Sequence, residues 1–502
     1  MSAPAIECKG IRKVFGSVVA NNNIDLSVNY GEILAILGEN GSGKTTLMNM
    51  LSGIYHPDSG TIYSDGEEIT INSPVDSAKY QIGMIHQHFK LIDVFSALDN
   101  IILGTDRAAS KTARKKITEI CDSFGLKVDL DKKIYNMSVS EKQNVEILKV
   151  LYRGAKILIL DEPTAVLTPQ EIKVLLDILR KMRKNGCAII IITHKLNEVM
   201  EISDRVTILR KGESIGTVET NKTSEQELTE LMVGHAVNLE IDRPEPKNSK
   251  ELLRVCNLSV LKSDGSIGLD DIDFSVNSGE ILGVAGVAGS GQKELCEVIA
   301  GLIPAKSGAI LYNKENILTK KPREIIDLGI QMSFVPEDRL GMGLVASMSV
   351  ADNMMLKNYD APKGIFVKKA GARSLASKLV DELEIKTPDI DTPVRMLSGG
   401  NVQKVLLGRE ISAAPNLLIT AYPVRGLDIN SSYTIYNLLN QQKEKGVAVM
   451  FIGEDLDVLL QLSDKIMILC NGKITGIVDA KAVTKEQLGL MMTGKTAKEM
   501  GI

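Results

Sequence analysis

The sequence predicts an α/β protein in which one unit, a mainly parallel sheet with flanking helices, occurs twice in tandem. Short aliphatic runs alternate with segments of helical periodicity, which is typical of parallel sheets covered by helices. A glycine-rich loop joins one of these runs to a helix, and several segments of the first half recur in the second half. At 502 residues the chain is long enough for two domains, each with its own core.

The glycine-rich loop is Gly38–Thr45, which matches G-x-x-x-x-G-K-[ST], a pattern that binds nucleotide phosphates. The apolar run Glu32–Leu37 predicts a buried strand before it, and Thr45–Ser52 continues as a helix. Glycines let backbone N–H groups converge on phosphate oxygens. Lys44 is predicted to reach the β- and γ-phosphates, and Thr45 to bind Mg²⁺. The residues predicted to bind the cofactor here are Gly38, Asn40, Gly41, Ser42, Gly43, Lys44, Thr45 and Thr46.

Further elements of the first half follow from the same patterns. Strands are predicted at Ile157–Leu160, Ala188–Thr193 and Val206–Arg210. A helix with an apolar stripe is predicted at Gln170–Asn185, and Ser96–Tyr135 is predicted to be mostly helical. These elements give a mainly parallel sheet with flanking helices and a helical subdomain.

Polar residues at predicted strand ends are the candidates for catalysis and metal binding. Asp161 follows a buried strand and can hold Mg²⁺, and Glu162 beside it can polarise the water that attacks the γ-phosphate. Gln87 can place its amide near the metal and the γ-phosphate, and His194 follows another strand that faces the same crevice. Phe15 lies upstream, where its ring can stack on adenine. We therefore predict a catalytic role for Glu162, His194 and Gln87, and metal binding by Thr45, Gln87 and Asp161.

Composition and charge argue against several classes of function. The net charge of −4 argues against general affinity for nucleic acid. The six cysteines show no close pairs and no metal-type spacing, which favours reduced thiols in a cytosolic protein. No secretion signal and no run of 18 apolar residues is visible. Any membrane role is therefore expected to act through partners.

Repetition sets the domain organisation. The segment Gly31–Gly38 recurs as Gly279–Gly286, 248 positions later, and Ser203–Leu209 recurs as Ser463–Leu469, 260 positions later. The second copy thus carries about twelve extra residues, predicted around Arg339–Lys369. We predict domains at residues 1–243 and 250–502, which meet near the polar, proline-containing linker at residues 242–249.

The order of phosphate loop, Gln87, the segment around Ser138, the Asp161–Glu162 pair and His194 resembles the nucleotide-binding subunits of ABC transporters. The tandem arrangement is similar to importers of simple sugars and nucleosides, the ribose and galactose type. The resemblance implies two P-loop NTPase domains that hydrolyse ATP with Mg²⁺. It also implies two membrane permease subunits, an extracytoplasmic solute-binding protein, and peripheral association with the cytoplasmic face of the cell membrane.

The second copy departs from the motif of the first. Gln292 and Lys293 stand where lysine and serine or threonine are expected, and Ala421 and Tyr422 replace the carboxylate pair. Glu454 stands in place of His194, and Glu337 in place of Gln87. The second copy has therefore lost its metal ligand, its water-polarising carboxylate and its switch histidine.

The signature segments are those around Ser138 in the first copy and Ser398 in the second. Here the second copy is the complete one. The first copy has Val139 and Ser140 where the family has glycines. Head-to-tail pairing, implied by the resemblance, combines the complete phosphate loop of one copy with the complete signature of the other. We therefore predict one hydrolytic and one degenerate site, the second copy supplying the hydrolytic site with Ser398, Gly399, Gly400 and Asp428.

Two other classes of protein use a similar loop. A tandem ABC ATPase that acts on ribosomes or DNA without a permease is the alternative, but such proteins usually keep both sites complete. A small-molecule kinase would not explain the duplication. Among solutes, Met84–Leu91 and Ala421–Asp428 favour, by resemblance, purine nucleosides over pentoses.

Overall fold

The computed structural model describes residues 3–502 except residues 17, 88, 106, 166, 194, 236–239, 247–248, 335–342, 357–368, 413–414 and 426. The chain forms two compact units, Met1–Asn238 and Leu239–Ile502. Described residues of the predicted linker contact the second unit. The Arg243 guanidinium donates to the carbonyl oxygens of Leu460 at 3.1 Å and Ser463 at 2.6 Å. The first part of the linker is thus fixed to the second unit.

The first unit begins with a four-stranded antiparallel sheet that the sequence did not predict. Its strands are β1 (Ile6–Phe15), β2 (Val18–Val28), β4 (Ser59–Ser64) and β5 (Glu67–Ile69), in the order β2-β1-β4-β5. Register shifts interrupt the pairing of β1 with β2, so that the alternation of buried and exposed residues is irregular. This irregularity hides the strands from a search for period-two patterns.

A six-stranded sheet forms the centre of the first unit, in the order β10-β9-β3-β8-β7-β6. Only β10 runs antiparallel to its neighbour, β9. Every residue of β3, β7 and β8 is buried, as expected for a parallel sheet covered on both faces. The predicted strands agree with the observed ones to within one residue at each end. The strands are β3 (Ile33–Leu37), β6 (Ile82–Ile85), β7 (Ile157–Asp161), β8 (Ala188–Ile192), β9 (Arg205–Arg210) and β10 (Glu213–Glu219).

Eight α-helices are described in this unit, and three of them, α3 to α5, pack around a core that includes Ala97, Ile117 and Leu148. These three helices form the predicted helical subdomain. None of the described helices of the chain has the length and apolar character needed to cross a bilayer. The helices are α1 (Lys44–Leu51), α2 (Pro74–Lys79), α3 (Ala97–Ile102), α4 (Arg107–Phe124), α5 (Val139–Tyr152), α6 (Pro169–Lys184), α7 (Leu196–Ile202) and α8 (Glu225–Val233).

The second unit repeats both sheets, in the orders β12-β11-β14-β15 and β16-β17-β18-β13-β19-β20. Its strands are β11 (Glu251–Leu261), β12 (Ile267–Asn277), β13 (Ile281–Gly286), β14 (Ser307–Tyr312), β15 (Glu315–Asn316), β16 (Ile330–Phe334), β17 (Leu417–Ala421), β18 (Ala448–Ile452), β19 (Lys465–Cys470) and β20 (Lys473–Asp479). Its described helices are α9 (Gln292–Ile299), α10 (Pro322–Asp327), α11 (Val350–Met355), α12 (Ala370–Glu382), α13 (Gly399–Ser412), α14 (Ile429–Glu444), α15 (Leu456–Leu462), α16 (Lys485–Met492) and α17 (Ala497–Met500).

A buried asparagine builds the same loop in both helical subdomains. Asn100 accepts from the Ile92 N–H at 2.7 Å, and Asn353 accepts from the Val345 N–H at 2.9 Å. These asparagines are 253 positions apart, compared with 248 at the phosphate loops and 260 at the signature serines. The extra residues of the second copy therefore enter at two points, one before Asn353 and one after it.

Candidate functional site

The phosphate loop of the first unit leaves β3 and enters α1, and two of its glycines are required by close backbone contacts. A Cβ at Gly38 would lie 2.3 Å from the Leu209 carbonyl oxygen. Gly43 has a φ of 96°, and a Cβ there would lie 2.4 Å from the Ala20 carbonyl oxygen. Larger residues would push the loop away from its sheet, so the predicted turn needs glycine at both positions.

Lys44 is buried and donates to its own loop. Its Nζ lies 2.6 Å from the Gly38 carbonyl oxygen and 2.9 Å from that of Glu39. Burial lowers the pKa of Lys44, and the nearby charges of Glu162, Asp161 and Glu39 oppose that shift. The loop thus holds a desolvated ammonium group at the centre of its curve, and a phosphate oxygen can replace a carbonyl as its partner.

Asp161 ends β7 close to the same loop. Desolvation raises its pKa to about 6 and Glu162 adds to the rise, whereas Lys44 and the hydrogen-bonded Thr45 hydroxyl lower it. Among the described residues no group of three His, Cys, Asp or Glu side chains could hold a metal ion. A single carboxylate beside a hydroxyl nevertheless suits Mg²⁺, which keeps several waters and shares its coordination with substrate phosphates. The donor set fits a metal held jointly with the nucleotide.

Glu162 follows in a left-handed backbone conformation, with a φ of 49°. Its N–H donates to the Ile192 carbonyl oxygen at 2.9 Å, which ties the turn to the end of β8. Tyr422 has the equivalent conformation in the second unit, with a φ of 53° and a bond from its N–H to the Ile452 carbonyl oxygen. The fold thus dictates this strained turn, and the side chain determines what it can do.

Gln87 lies just beyond β6 with its side chain exposed, and the following segment is anchored to α5. Glu146 accepts from the Lys90 N–H at 2.6 Å, while Lys149 donates to the Lys90 carbonyl oxygen at 3.1 Å. No sequence pattern indicated this anchor. The predicted switch residue His194 lies outside the described residues.

Phe15, the predicted adenine platform, ends β1. Its ring is 42% exposed and packs edge-on against Tyr55, with centroids 5.2 Å apart. The ammonium of Lys13 lies 5.5 Å from the ring centroid. The equivalent strand β11 of the second unit ends at Leu261, and Lys262 stands at the position of Phe15. This further difference between the copies was not recognised from the sequence.

The second phosphate loop keeps its shape without its charge. Gln292 is buried, and its side-chain amide donates to the Val287 carbonyl oxygen at 3.2 Å. The side chain of Lys293 is 65% exposed and lies 3.8 Å from Glu297, so that lysine does not replace Lys44. Ala421 ends β17 in the place of Asp161.

Of the two further replacements predicted in the second copy, Glu454 and Glu337, only the first lies among the described residues. Glu454 is exposed and lies 3.8 Å from the Arg425 guanidinium. Glu337, the predicted counterpart of Gln87, lies outside the described residues.

The signature residues of the second unit surround the start of α13. The Ser398 hydroxyl accepts from the Asn401 amide at 2.9 Å, and Gly399 and Gly400 open the helix. Asp428 caps α14, where it accepts from the N–H of Ser431 and from its hydroxyl, both at 2.8 Å. Asp428 therefore has a structural role that sequence reasoning missed, and its contact with nucleotide stays a prediction.

The signature serine of the first unit is a helix cap. Ser138 caps α5 and accepts from the Glu141 N–H at 3.2 Å, while Glu141 accepts from the Ser138 N–H at 2.7 Å. Thr168 caps α6 at the position that corresponds to Asp428. Thr168 and Asp428 thus cap corresponding helices of the two units, although the residues differ.

Comparison with known proteins identifies the family. The profile of the ABC transporter family matches residues 21–165 and 269–423, so that each unit carries one match. The chain belongs to the ABC transporter family. The tandem ABC domains predicted from the sequence are thereby confirmed, and the chain is an ATPase of the ABC type.

Three curated ABC relatives match nearly the full length of the chain. The nucleoside import ATP-binding protein NupA of Lactococcus lactis is 42% identical, over 98% of this chain and 99% of its own. The guanosine import ATP-binding protein NupO of Bacillus subtilis is 43% identical, over 99% and 98%. A ribose import ATP-binding protein of Rubrobacter xylanophilus is 36% identical, over 98% and 99%.

Proposed function

We propose that this chain powers the import of nucleosides across a membrane by hydrolysing ATP. The observation that carries the proposal is its similarity to two full-length relatives named for nucleoside and guanosine import, at 42% and 43% identity. The relative named for ribose import is less similar, at 36%. Nucleosides are therefore the preferred solute class, and simple sugars are the second.

Hydrolysis is assigned to the phosphate loop of the first unit. Lys44 binds and orients the β- and γ-phosphates, Phe15 stacks on adenine, and Glu162 accepts a proton from the attacking water. Thr45, Gln87 and Asp161 would hold Mg²⁺, which when bound would neutralise developing charge on the phosphate oxygens. Gln87 and His194 are assigned to the γ-phosphate region. The clustering of Lys44, Thr45, Asp161 and Glu162 supports the roles of these four residues.

One hydrolytic site per chain follows from the differences between the units. The second unit offers Gln292 in place of the cation, and Ala421 and Tyr422 in place of the two carboxylates. Charge-assisted contacts contribute roughly 1.5–3 kcal/mol each. Losing three such contacts at the transition state slows hydrolysis by at least about a thousandfold, allowing for non-additivity. Ser398, Gly399, Gly400 and Asp428 are assigned to the hydrolytic site and not to a second one.

The partners in this proposal are two membrane permeases and an extracytoplasmic solute-binding protein. A shallow groove of about 600 Å³ lies beside α3 in the first unit, with Val94 65% and Leu103 45% exposed on it. The second unit builds the same loop around Asn353, with Val345 40% exposed. An exposed apolar side chain stands at this loop in both units, Ile92 at 39% in the first and Val345 in the second, which suits docking of one permease subunit to each unit.

Uptake by the host organism tests the proposal. Deleting the gene should abolish uptake of radiolabelled guanosine and spare uptake of labelled ribose. Complementation with the wild-type chain should restore guanosine uptake, and complementation with Glu162→Gln should not. Loss of ribose uptake alone would transfer the assignment to sugars. Unchanged uptake of both, with the chain absent from the membrane fraction, would favour a tandem ATPase without a permease.

A further inference from the structure

A buried polar network lies directly behind the turn that carries Glu162. The Thr164 hydroxyl donates to Glu198 Oε2 at 2.6 Å. Lys195 Nζ donates to the Thr164 carbonyl oxygen at 3.2 Å and lies 3.2 Å from Glu198 Oε1. Thr164 is 2% exposed and Glu198 is 7% exposed. Buried charges are stable only when they are paired, so these three side chains hold one another in one arrangement.

The network joins two segments of the site. Thr164 lies two positions after Glu162, while Lys195 and Glu198 lie at the start of α7. The Lys195 N–H also donates to the hydroxyl of Thr193, just beyond β8, at 3.1 Å. The turn after β7 is therefore fixed to the segment after β8 through side chains as well as through the backbone of Glu162.

The second unit keeps the turn and lacks the network. Val424, Asp455 and Val458 stand at the positions of Thr164, Lys195 and Glu198. Asp455 caps its own helix and accepts from the Asp457 N–H at 2.9 Å. Because Tyr422 has the same backbone conformation as Glu162, the fold of this turn does not require the polar network.

We propose that Thr164, Lys195 and Glu198 are positioning residues for ATP hydrolysis in the first unit. They tie the turn, whose backbone forms without them, to the start of α7, and so hold the Glu162 carboxylate in a productive geometry for the attacking water. The inference rests on the proposed function, in which Glu162 accepts a proton from that water. It also explains why the network accompanies the unit that carries the carboxylate pair.

The test replaces the network with apolar side chains like those of the second unit. The triple variant Thr164→Val, Lys195→Met, Glu198→Val removes both charges together, so no buried charge is left without a partner. In the full-length chain, kcat for ATP should fall by about tenfold to a hundredfold, the scale expected for misplacing a catalytic group by about 1 Å. Affinity for a non-hydrolysable ATP analogue and the melting temperature should stay close to the wild-type values.

Two further variants sharpen the test. Thr164→Ser keeps the hydroxyl and should retain most of the wild-type kcat. The surface pair Arg180 and Glu201 joins α6 to α7 at 2.8 Å, and the double variant Arg180→Gln, Glu201→Gln should leave kcat unchanged. This control separates positioning of the turn from general attachment of α7.

Several results would overturn the inference. A triple variant with wild-type kcat would show that the network has no role in hydrolysis. A fall in kcat matched by lower melting temperature or weaker analogue binding would show a structural role only. Glu162→Gln, measured in parallel, separates the two hypotheses. If it retains turnover, the proposed role of Glu162 is wrong; if it is inactive while the triple variant is normal, only the positioning role is wrong.

Discussion

Lys44 and Gln292 occupy the same position in the two phosphate loops, and each donates to a carbonyl oxygen of its own loop. Lys44 Nζ lies 2.9 Å from the carbonyl oxygen of Glu39, and Gln292 Nε2 lies 3.2 Å from that of Val287, the equivalent residue. A neutral amide thus makes the contact that holds the loop, although it supplies no charge for a phosphate. Loop folding and phosphate binding are separable properties of this position.

Lys44→Gln should therefore fold like the wild type and bind ATP poorly. The glutamine amide can reach the same carbonyl oxygen, whereas losing a charge-assisted contact worth roughly 1.5–3 kcal/mol weakens affinity by about 10- to 100-fold. Melting temperature and ATP affinity of the full chain check the two halves of this prediction. A variant that unfolds easily but binds ATP normally would contradict it.

Glu162→Gln should abolish turnover and leave ATP bound. Removing a general base typically lowers the rate by about 10²–10⁴-fold, while the residues that hold the phosphates are untouched. Tyr422→Glu restores a carboxylate in the second unit, but Gln292 and Ala421 remain, so turnover should hardly change. Steady-state hydrolysis and retained nucleotide after gel filtration provide the measurements. Near-normal activity of Glu162→Gln would show that another group activates the water.

The central sheet and the phosphate loop could be predicted because their signals are local. The strand at β3 is a continuous apolar run between glycines, and Gly38 and Gly43 are required by close backbone contacts in the phosphate loop. The antiparallel sheet was missed because bulges in β1 and β2 disturb the alternation of side chains. Long-range pairing, not local pattern, determines those strands.

The side-chain networks could not be predicted for a different reason. Thr164 and Glu198 are 34 positions apart, and nothing in either segment indicates that they meet. Asp428 was assigned to nucleotide, and the structure adds its role as a helix cap, which an Asp before a helical segment signals. This contact can be recognised only in the folded structure, where the turn after β7 lies beside α7.

Ser398 and Ser138 should respond differently to the same substitution. The sequence predicts that Ser398 contributes to hydrolysis, so Ser398→Ala should lower kcat. Ser138 caps α5, and Ser138→Ala should cost ~1 kcal/mol of stability with kcat little changed. Hydrolysis rates and melting curves of the two variants provide the comparison. Equal loss of activity in both would show that both signature segments act in hydrolysis.

Asp161→Asn should stabilise the nucleotide-free chain at neutral pH while weakening its response to Mg²⁺ and ATP. Burial raises the pKa of Asp161 from 3.8 to about 6. The group's contribution to stability is therefore fully present below about pH 4 and is lost as the pH rises through about 6, because the unfolded chain releases the proton first. Asparagine, which is neutral at every pH, avoids this loss.

The expected gain is ~1–3 kcal/mol at pH 7.5 and smaller at pH 5, where Asp161 is largely protonated in the folded chain. Calorimetric unfolding at both pH values measures it, with and without Mg²⁺ and ATP. Asp131 serves as a control, because the hydrogen bond from Arg114 lowers its pKa and Asp131→Asn should bring no gain at pH 7.5. If Asp161→Asn is instead less stable than the wild type at pH 7.5, then the neighbours of the carboxylate stabilise its charged form more than burial destabilises it. The site would then be preorganised for the charged form before any ligand binds.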